Sequence, residues 1–476
     1  MVFCMLFGIH KIQSLKFILT SHLLLFFLSC SGQCVYVSSS IGDDNNRGTI
    51  ESPLRTIEQA TQVADTILLK SGDIFYTSLL LKSKSVGKYG GDENPLLCGF
   101  KILEKPQWTS MGYNLWRVCL LGSSFSGIVT NESSTSNNIC AIYELDKDLL
   151  HGRKVRYQTE LSRNWDFWQT EKIEDSDKSD YDYLVMYYDG NPNDLKLAFS
   201  TYDVAVSMEN STLSDVDIKG YGFGISARTT SIIRDCHLDI LGGRLIKSSD
   251  GYSCYGNGIE FWVSKDIENC IVENCEISRC YDCGITIQST GNGKATPRNI
   301  IVRNNLIRKC CQGWEDFLRN DPEVVYENCV FENNLVVCSG ENGFGYPTSR
   351  FKYCHVLGNN YMGDKGMIIR NNIFADGNYY CSGAYQGKYR SNIWKDNICY
   401  IKRGDFILGN YMGTKDVVRI PRERGEYRFL QDATEKAIEE YRQLSGDETT
   451  RFIVLREKEL DKKVKKLIKK YKSKNK

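Results

Sequence analysis

The chain has 476 residues but only 8 prolines, and its 60 basic and 59 acidic side chains leave a formal net charge of +1. With so little excess charge there is no global field to draw in nucleic acid or a membrane surface, so partners must be recognised locally. No glycine-rich phosphate loop follows a strand and opens a helix, which leaves nucleotide, flavin and phosphate sites without support. Zinc is excluded as well, because Cys280 and Cys283 have no second pair and no histidine at ligand spacing. No metal and no cofactor is expected.

The apolar run Phe17 to Leu28 is too short for a comfortable membrane span. Preceded by Lys11 and Lys16 and ending in the small residues Ser29, Cys30, Ser31 and Gly32, it reads as a secretory signal over residues 1–32. Export to the periplasm, the outer surface or the medium is the expectation. Cleavage near Gly32 and a lipid anchor at Cys30 are rival readings of its end.

What the chain does have is 40 glycines, 28 tyrosines and 20 phenylalanines, a balance that favours turn-rich β-structure over helical bundles. It also has 19 cysteines, of which thirteen lie between Cys236 and Cys399. Many recur at matching points, as with Cys280, Cys310 and Cys338 or Cys270 and Cys329. Compact thiols stacked inside a solenoid explain that placement better than disulfide staples.

The repeat behind it is legible from about residue 200 to 410, in the units IIRDCHLDI, CIVENCEIS, IIVRNNLIR, CVFENNLVV, MIIRNNIFA and WKDNICY. Their polar pairs begin at Asp235, Asn274, Asn304, Asn333, Asn371 and Asp396, spaced by 39, 30, 29, 38 and 25 residues. The short spacings fit one coil of a parallel β-helix, and the long ones fit a coil with an extra loop. The apolar positions alternate and are β-branched, which argues against an α-solenoid. Asparagine suits these points because it tolerates the left-handed backbone of a tight turn and its amide can bond to the coil above.

Upstream, YVSSSIGDDNNRGTIESPLRTIEQA and ADTILLKSGDIFYTSLLLKS give a strand, a polar loop, a short amphipathic helix from Pro53 to about Val63, and strands again. This order resembles the N-terminal cap and first coils of the right-handed, pectin-lyase-like parallel β-helix superfamily. Between about Trp108 and Ser200 the repeat lapses, and YLVMYYDGNP reads as a strand entering a turn. A β-helix interrupted by a β-sandwich is similar to certain bacterial β-helix glycoside hydrolases, a likeness of architecture over roughly residues 35–410. The expected fold is therefore mostly β: a cap and first coils at 33–107, an inserted β-rich domain at 108–200, the main helix at 201–410, and a C-terminal helical cap and basic tail at 411–476. Ala433, Ala437, Tyr441 and Leu444 carry helical spacing in that cap, and the basic amphipathic KKVKKLIKKYKSKNK is expected to be a solvated or frayed end, with contact to an anionic surface the alternative. A monomer is expected.

Glycines open four further segments, at Gly258, Gly284, Gly313 and Gly343, at one-coil intervals that predict strands stacked in one sheet. Alternation then turns Ile259, Phe261, Ile285, Ile287 and Trp314 inward. Glu260, Thr286 and Glu315 face outward in one column, and Trp262, Gln288 and Phe317 in a second, with Ser226 and Arg228 extending the two. Aromatic platforms with carboxylate, amide and guanidinium groups on rigid strands suit the apolar faces and hydroxyls of sugars. Glu260 and Glu315, two strands apart, would have backbones about 10 Å apart. Asp282, at the turn into the intervening strand, would fall between them.

Glycoside hydrolysis requires one protonated and one ionised carboxyl group. Glu260, Asp282 and Glu315 can supply that pair, with Asp282 expected to pair with one of the two glutamates and Asp316 in reserve should the register slip by one residue. Trp262, Gln288, Arg228, Thr286, Phe317 and Asp316 are the candidate substrate contacts on a polysaccharide or oligosaccharide. A polysaccharide lyase, using Arg228, Arg244 or Lys247 on a uronate, is the alternative within the same superfamily. A non-catalytic glycan-binding surface protein is the alternative outside enzymes, and a polymer epimerase is a further outcome. His237 and His355 lie in repeat strands and read as structural.

Overall fold

In a computed structural model the described residues run from 32 to 474, except 103–106, 120–138, 156, 170–182, 249–250, 264–265, 290–295, 319–324, 345–353, 359–365, 378–379, 385–391, 411–417, 421 and 423–426. The signal-like segment and Cys30 thus lie outside the described residues. The chain is mostly β and coils into a parallel β-helix with three sheets. The first sheet has ten parallel strands, from Cys34–Val37 to Ile393–Lys395. A second runs through His237–Leu241, Glu276–Cys280 and Leu306–Arg308 to Arg451–Leu455. The third stacks Leu79–Lys82, the ends of Leu197–Glu209 and Asp217–Ala227, then Ile259–Trp262, Cys283–Ser289, Gln312–Leu318, Cys354–Gly358, Tyr380–Ala384 and Phe406–Asn410.

Strand alternation fills the interior. In the first sheet Ile67, Val86, Leu213, Ile233, Val272, Val302, Phe331 and Ile369 align coil on coil and are fully buried. Each such side chain contributes about 1.5–3 kcal/mol of burial, which a single coil could not provide alone.

The polar pairs divide two duties that the sequence suggested for one residue. The first members, Asp235, Asn274, Asn304, Asn333, Asn371 and Asp396, all have φ between 54° and 57° and make the left-handed turn. The second members make the ladder: Asn305 Nδ2 donates to Asn334 Oδ1 at 3.0 Å, Asn334 to Asn372 at 3.1 Å, and Asn372 to Asn397 at 3.0 Å. Left-handed backbone points the first side chain out and the next one in, so the second members form the buried ladder inside the coils. All fifteen cysteines that the structure describes as free are thiols, thirteen of them buried. Cys270 and Cys329 share a column across Ile300, and Cys280 lies level with Cys310. Cys338 departs from the expected match: it sits at φ 55° level with Lys309 and belongs to the outer cluster under the C-terminal helix.

Helix α1 (Ile57–Val63) buries Ile57 and Ala60 in the first coils. It starts later than Pro53 because Asp44 Oδ1 holds the amides of Arg55 and Thr56 at 3.0 and 2.8 Å, leaving Thr56 as the N-cap. At the other end α2 (Tyr427–Ser445) packs Ala437 and Tyr441 on the last coils, and Arg451–Leu455 then adds one more parallel strand. The basic tail is not a solvated end. It forms α3 (Glu457–Lys474), whose Leu460 and Val464 pack on Leu306, Leu335 and Val337, while Lys472 pairs with Glu276 at 2.7 Å. The reason is its apolar stripe, Leu460, Val464, Leu467, Ile468 and Tyr471, which meets a matching apolar patch on the outside of the second sheet. Among the described residues, no helix is long and apolar enough to cross a membrane.

Where the repeat lapses, Thr109–Gly112, Leu115–Cys119, Phe167–Gln169 and Tyr183–Tyr187 form a four-stranded antiparallel sheet. Ile139–Glu144 pairs antiparallel with the start of Leu197–Glu209, and Trp108, Val118, Ile142, Phe167, Leu184, Met186 and Phe199 make a core of their own. This unit rests on the helix through Tyr143 and Asp148, which meet Lys219 and Arg279, with Asp239 buried beneath and bonded to Arg279 Nε at 2.8 Å.

Candidate functional site

The third sheet carries two outward columns. One runs Leu80, Ser207, Ser226, Glu260, Thr286, Glu315, Leu357 in hydrogen-bonded register. Beside it, Trp262, Gln288 and Phe317 are paired in the second, which Lys82, Glu209 and Arg228 extend towards the N-terminal coils. The strand glycines allow this spacing. A Cβ on Gly258 would lie 2.5 Å from Gly284 O, and one on Gly313 would lie 2.7 Å from His355 O. Gly343 is not in the series, and Cys354–Gly358 takes the place expected for it, with His355 level with Gly313. Gly343 instead sits at φ 83° in a turn where Asn342 Nδ2 donates to Tyr281 O at 2.7 Å and Phe344 packs on Tyr281.

Glu260, Thr286, Gln288 and Glu315 face outward, yet they are 4%, 0%, 7% and 2% exposed. The cover over Glu260 comes from the hairpin Arg244–Ser248 and Gly251–Tyr255, which rises from the coil just before it. Its base is pinned by glycines: a Cβ on Gly242 would collide with Gly256 O at 2.6 Å, and one on Gly243 with Cys140 O of the inserted unit at 2.5 Å. Tyr255 is thereby delivered over the columns. Its hydroxyl bonds Glu260 Oε2 and lies 3.0 Å from Gln288 Oε1. Asn257 Nδ2 donates to Glu260 Oε2 at 2.9 Å, and Gln288 Nε2 donates to Glu315 Oε2 at 3.3 Å. Arg244 lies over the Tyr255 and Phe223 rings, 4.8 and 5.1 Å from their centroids.

Burial pushes the Glu260 carboxyl above the usual carboxylate range, and the charge of Asp282 adds to the rise against the hydrogen bonds of Tyr255 and Asn257 and the charge of Arg244. Asp282 is 5% exposed at the turn before Cys283, where its backbone amide bonds Gly256 O at 3.1 Å and its carbonyl accepts from Gln312. The charges of Glu315 and Asp282 are both felt at Cys283, whose thiol burial already pushes far up. The Thr286 hydroxyl, between the two glutamates, has no hydrogen-bond partner among the described residues. Trp262 and Phe317 are half-buried and Arg228 is exposed. Towards the N-terminal coils the columns open into a groove of about 570 Å³ lined by Leu80, Lys82, Ser207, Glu209, Ser226 and Arg228.

Asp316 does not share this wall. The register does not slip, so it points inward opposite Ile287, fully buried, and accepts a hydrogen bond from Asn392 Nδ2 at 2.6 Å. Trp314 lies inside, as alternation requires. Lys247 has its backbone in the hairpin, and its side chain lies outside the described residues. His355 is buried against Ser339 Oγ at 2.8 Å, and His237 faces Asp217 at 3.8 Å. Tyr255 and Asn257 were not singled out from sequence. The available signal was the pair of glycine-bounded segments GGRLI and YSCYGN flanking a short turn before Glu260. Among the described residues, no group of three or more His, Cys, Asp or Glu is placed to hold a metal ion.

No protein-family model matches the chain, and no curated protein matches it in sequence. Among solved structures it is similar to a glycoside hydrolase, at 10% identity over 84% of this chain and 98% of that one, with a TM-score of 0.36. It is also similar to the lacto-N-biosidase of Eubacterium ramulus, at 11% identity over 89% of this chain and 67% of that one, TM-score 0.29. An alginate lyase from Paenibacillus sp. str. FPU-7 matches at 12% identity over 73% of this chain and 84% of that one, TM-score 0.29.

Proposed function

We propose that the protein is an exported carbohydrate-active enzyme that hydrolyses glycosidic bonds of a polysaccharide or oligosaccharide on the outer face of its third sheet. The observation that carries this reading is the run of Glu260, Thr286 and Glu315 in one column, with Gln288 bridging the second glutamate to the tyrosine that bonds the first. A carboxyl raised by burial serves as a proton donor, and a carboxylate two strands away can activate water or attack carbon. Trp262 and Phe317 offer ring faces to a pyranose, and the groove beside Ser226 and Arg228 extends the path for further sugars. Asp282 tunes Glu260 by its charge and is the third candidate for a direct role.

Incubation with panels of neutral and uronate-containing glycans tests the assignment. Release of reducing ends without ultraviolet absorbance from an unsaturated sugar is expected. Absorbing products would assign a lyase, with Arg244 beside the acids as the cation that neutralises the uronate. Tight binding without turnover on every glycan would assign a surface binding protein instead.

A further inference from the structure

We infer that Tyr255 is the positioning residue that serves Glu260 both as a protonated donor and as the carboxylate left behind, and so lets Glu260 give up its proton to a leaving group. The inference rests on the hydrolytic reading for its consequence in catalysis, but its origin is the hydrogen-bond geometry alone. The Tyr255 hydroxyl has one hydrogen and two acceptors within reach, Glu260 Oε2 and Gln288 Oε1. Asn257 Nδ2 approaches the same hydroxyl oxygen at 3.3 Å and can only donate to it. One hydrogen cannot serve both acceptors.

The conflict is resolved if Glu260 holds a proton and donates it to the Tyr255 oxygen, which frees the phenolic hydrogen for Gln288 Oε1. Gln288 then has its amide hydrogens turned to Glu315 Oε2 at 3.3 Å, an arrangement that requires Glu315 to accept. The chain of donors therefore has a direction, from Glu260 through Tyr255 and Gln288 to Glu315. When Glu260 gives its proton to a leaving-group oxygen, the phenolic hydrogen swings from Gln288 to the new carboxylate. The glycosidic C–O bond breaks, the proton that leaves Glu260 ends on the departing alcohol, the anomeric carbon bonds to the Glu315 carboxylate or to a water whose proton Glu315 takes, and Tyr255 keeps its own hydrogen, so charge and atoms balance. Tyr255 touches no substrate in this scheme. It satisfies Glu260 in both protonation states, inside a pocket where the other facing groups are Asn257, Arg244 on the hairpin and Asp282 on the next coil.

Two substitutions act in opposite directions. Tyr255→Phe keeps the ring that packs under Arg244 but removes the donor to the Glu260 carboxylate, so that carboxyl holds its proton to higher pH. Gln288→Met removes the competing acceptor, fixes the phenolic hydrogen on Glu260 and lets the proton leave at lower pH. A general acid must be protonated, so its ionisation forms the alkaline limb of kcat/KM. That limb should move up by about 1 pH unit in Tyr255→Phe and down by a similar amount in Gln288→Met, with kcat about 10–100-fold lower in the first and KM little changed. Glu260→Gln should abolish the limb. Circular dichroism of each variant shows whether it folds.

Infrared difference titration of the whole protein reads the same proton without turnover. A protonated-carboxyl band lost in Glu260→Gln should shift its midpoint in opposite senses in the other two variants. Midpoints that stay together, or that move in the same direction, would overturn the inference. If the midpoints move as stated while no glycan is cleaved, the hydrolytic reading fails and the network stands. If glycan is cleaved and the midpoints do not move, the reverse holds.

Discussion

Replacing Asn334 by leucine should be among the most damaging single changes away from the site. Asn334 is 2% exposed, and its Oδ1 accepts both the Asn305 amide at 2.9 Å and Asn305 Nδ2 at 3.0 Å, while its own Nδ2 donates to Val302 O at 3.0 Å. Leucine has nearly the same volume, so little cavity forms, but those three buried groups lose their partner. At about 1–3 kcal/mol for each buried polar group left unsatisfied the sum is about 3–9 kcal/mol. The lower half applies, because the Asn334 backbone amide keeps its bond to Asn372 Oδ1 and the leucine recovers some apolar burial. The control is one residue away. Asn333 has φ 56°, so Asn333→Gly should be near neutral and Asn333→Ala should cost about 1–2 kcal/mol for the left-handed backbone. Urea unfolding followed by tryptophan fluorescence measures all three. If Asn334→Leu fell within about 0.5 kcal/mol of wild type, or cost less than Asn333→Ala, the division of duties within each polar pair would be wrong.

Two further outcomes follow from packing and burial. Val464→Asp should lift α3 off the second sheet, which hydrogen exchange would report as lost protection over 457–474 while the Asn-ladder coils stay protected. Burial pushes His355 down to about 3, so the folded protein refuses a proton that the unfolded chain takes up below about 6.5. Stability supplied by the neutral ring is present above that pH and is lost as pH falls towards 3. Between pH 6.5 and 4 the loss is about 3 kcal/mol, and His355→Phe should remove that share of the slope in denaturant titrations.

Much of the coil-to-coil order can be read from the chain because its rules are local. Period-2 alternation put Ile259 and Phe261 inside and Glu260 outside without knowledge of any contact, and the asparagine spacing gave the coil length. Gly343 misled because a glycine at the right interval is equally suited to a turn, and only the Cys354–Gly358 pairing to Gln312–Leu318 reveals the difference. The near-complete burial of Glu260 and Glu315 was not legible. Alternation says which way a side chain points but not what covers it, and at Glu260 the cover is Tyr255 on a hairpin held against Cys140, more than a hundred residues earlier. The docking of α3 was missed for a similar reason. Its lysines dominate the composition, while the stripe from Leu460 to Tyr471 gains meaning only from the apolar patch across successive coils that receives it.

The central claim is that acids from separate coils act together on one glycan across the third sheet. The direct test compares wild type, Glu260→Gln and Glu315→Gln on a glycan that the protein cleaves, with reducing-end release for turnover and calorimetry for binding. Each variant should lose about 10²–10⁴-fold in kcat while its affinity stays within several-fold of wild type. Retained turnover in either variant would contradict the account.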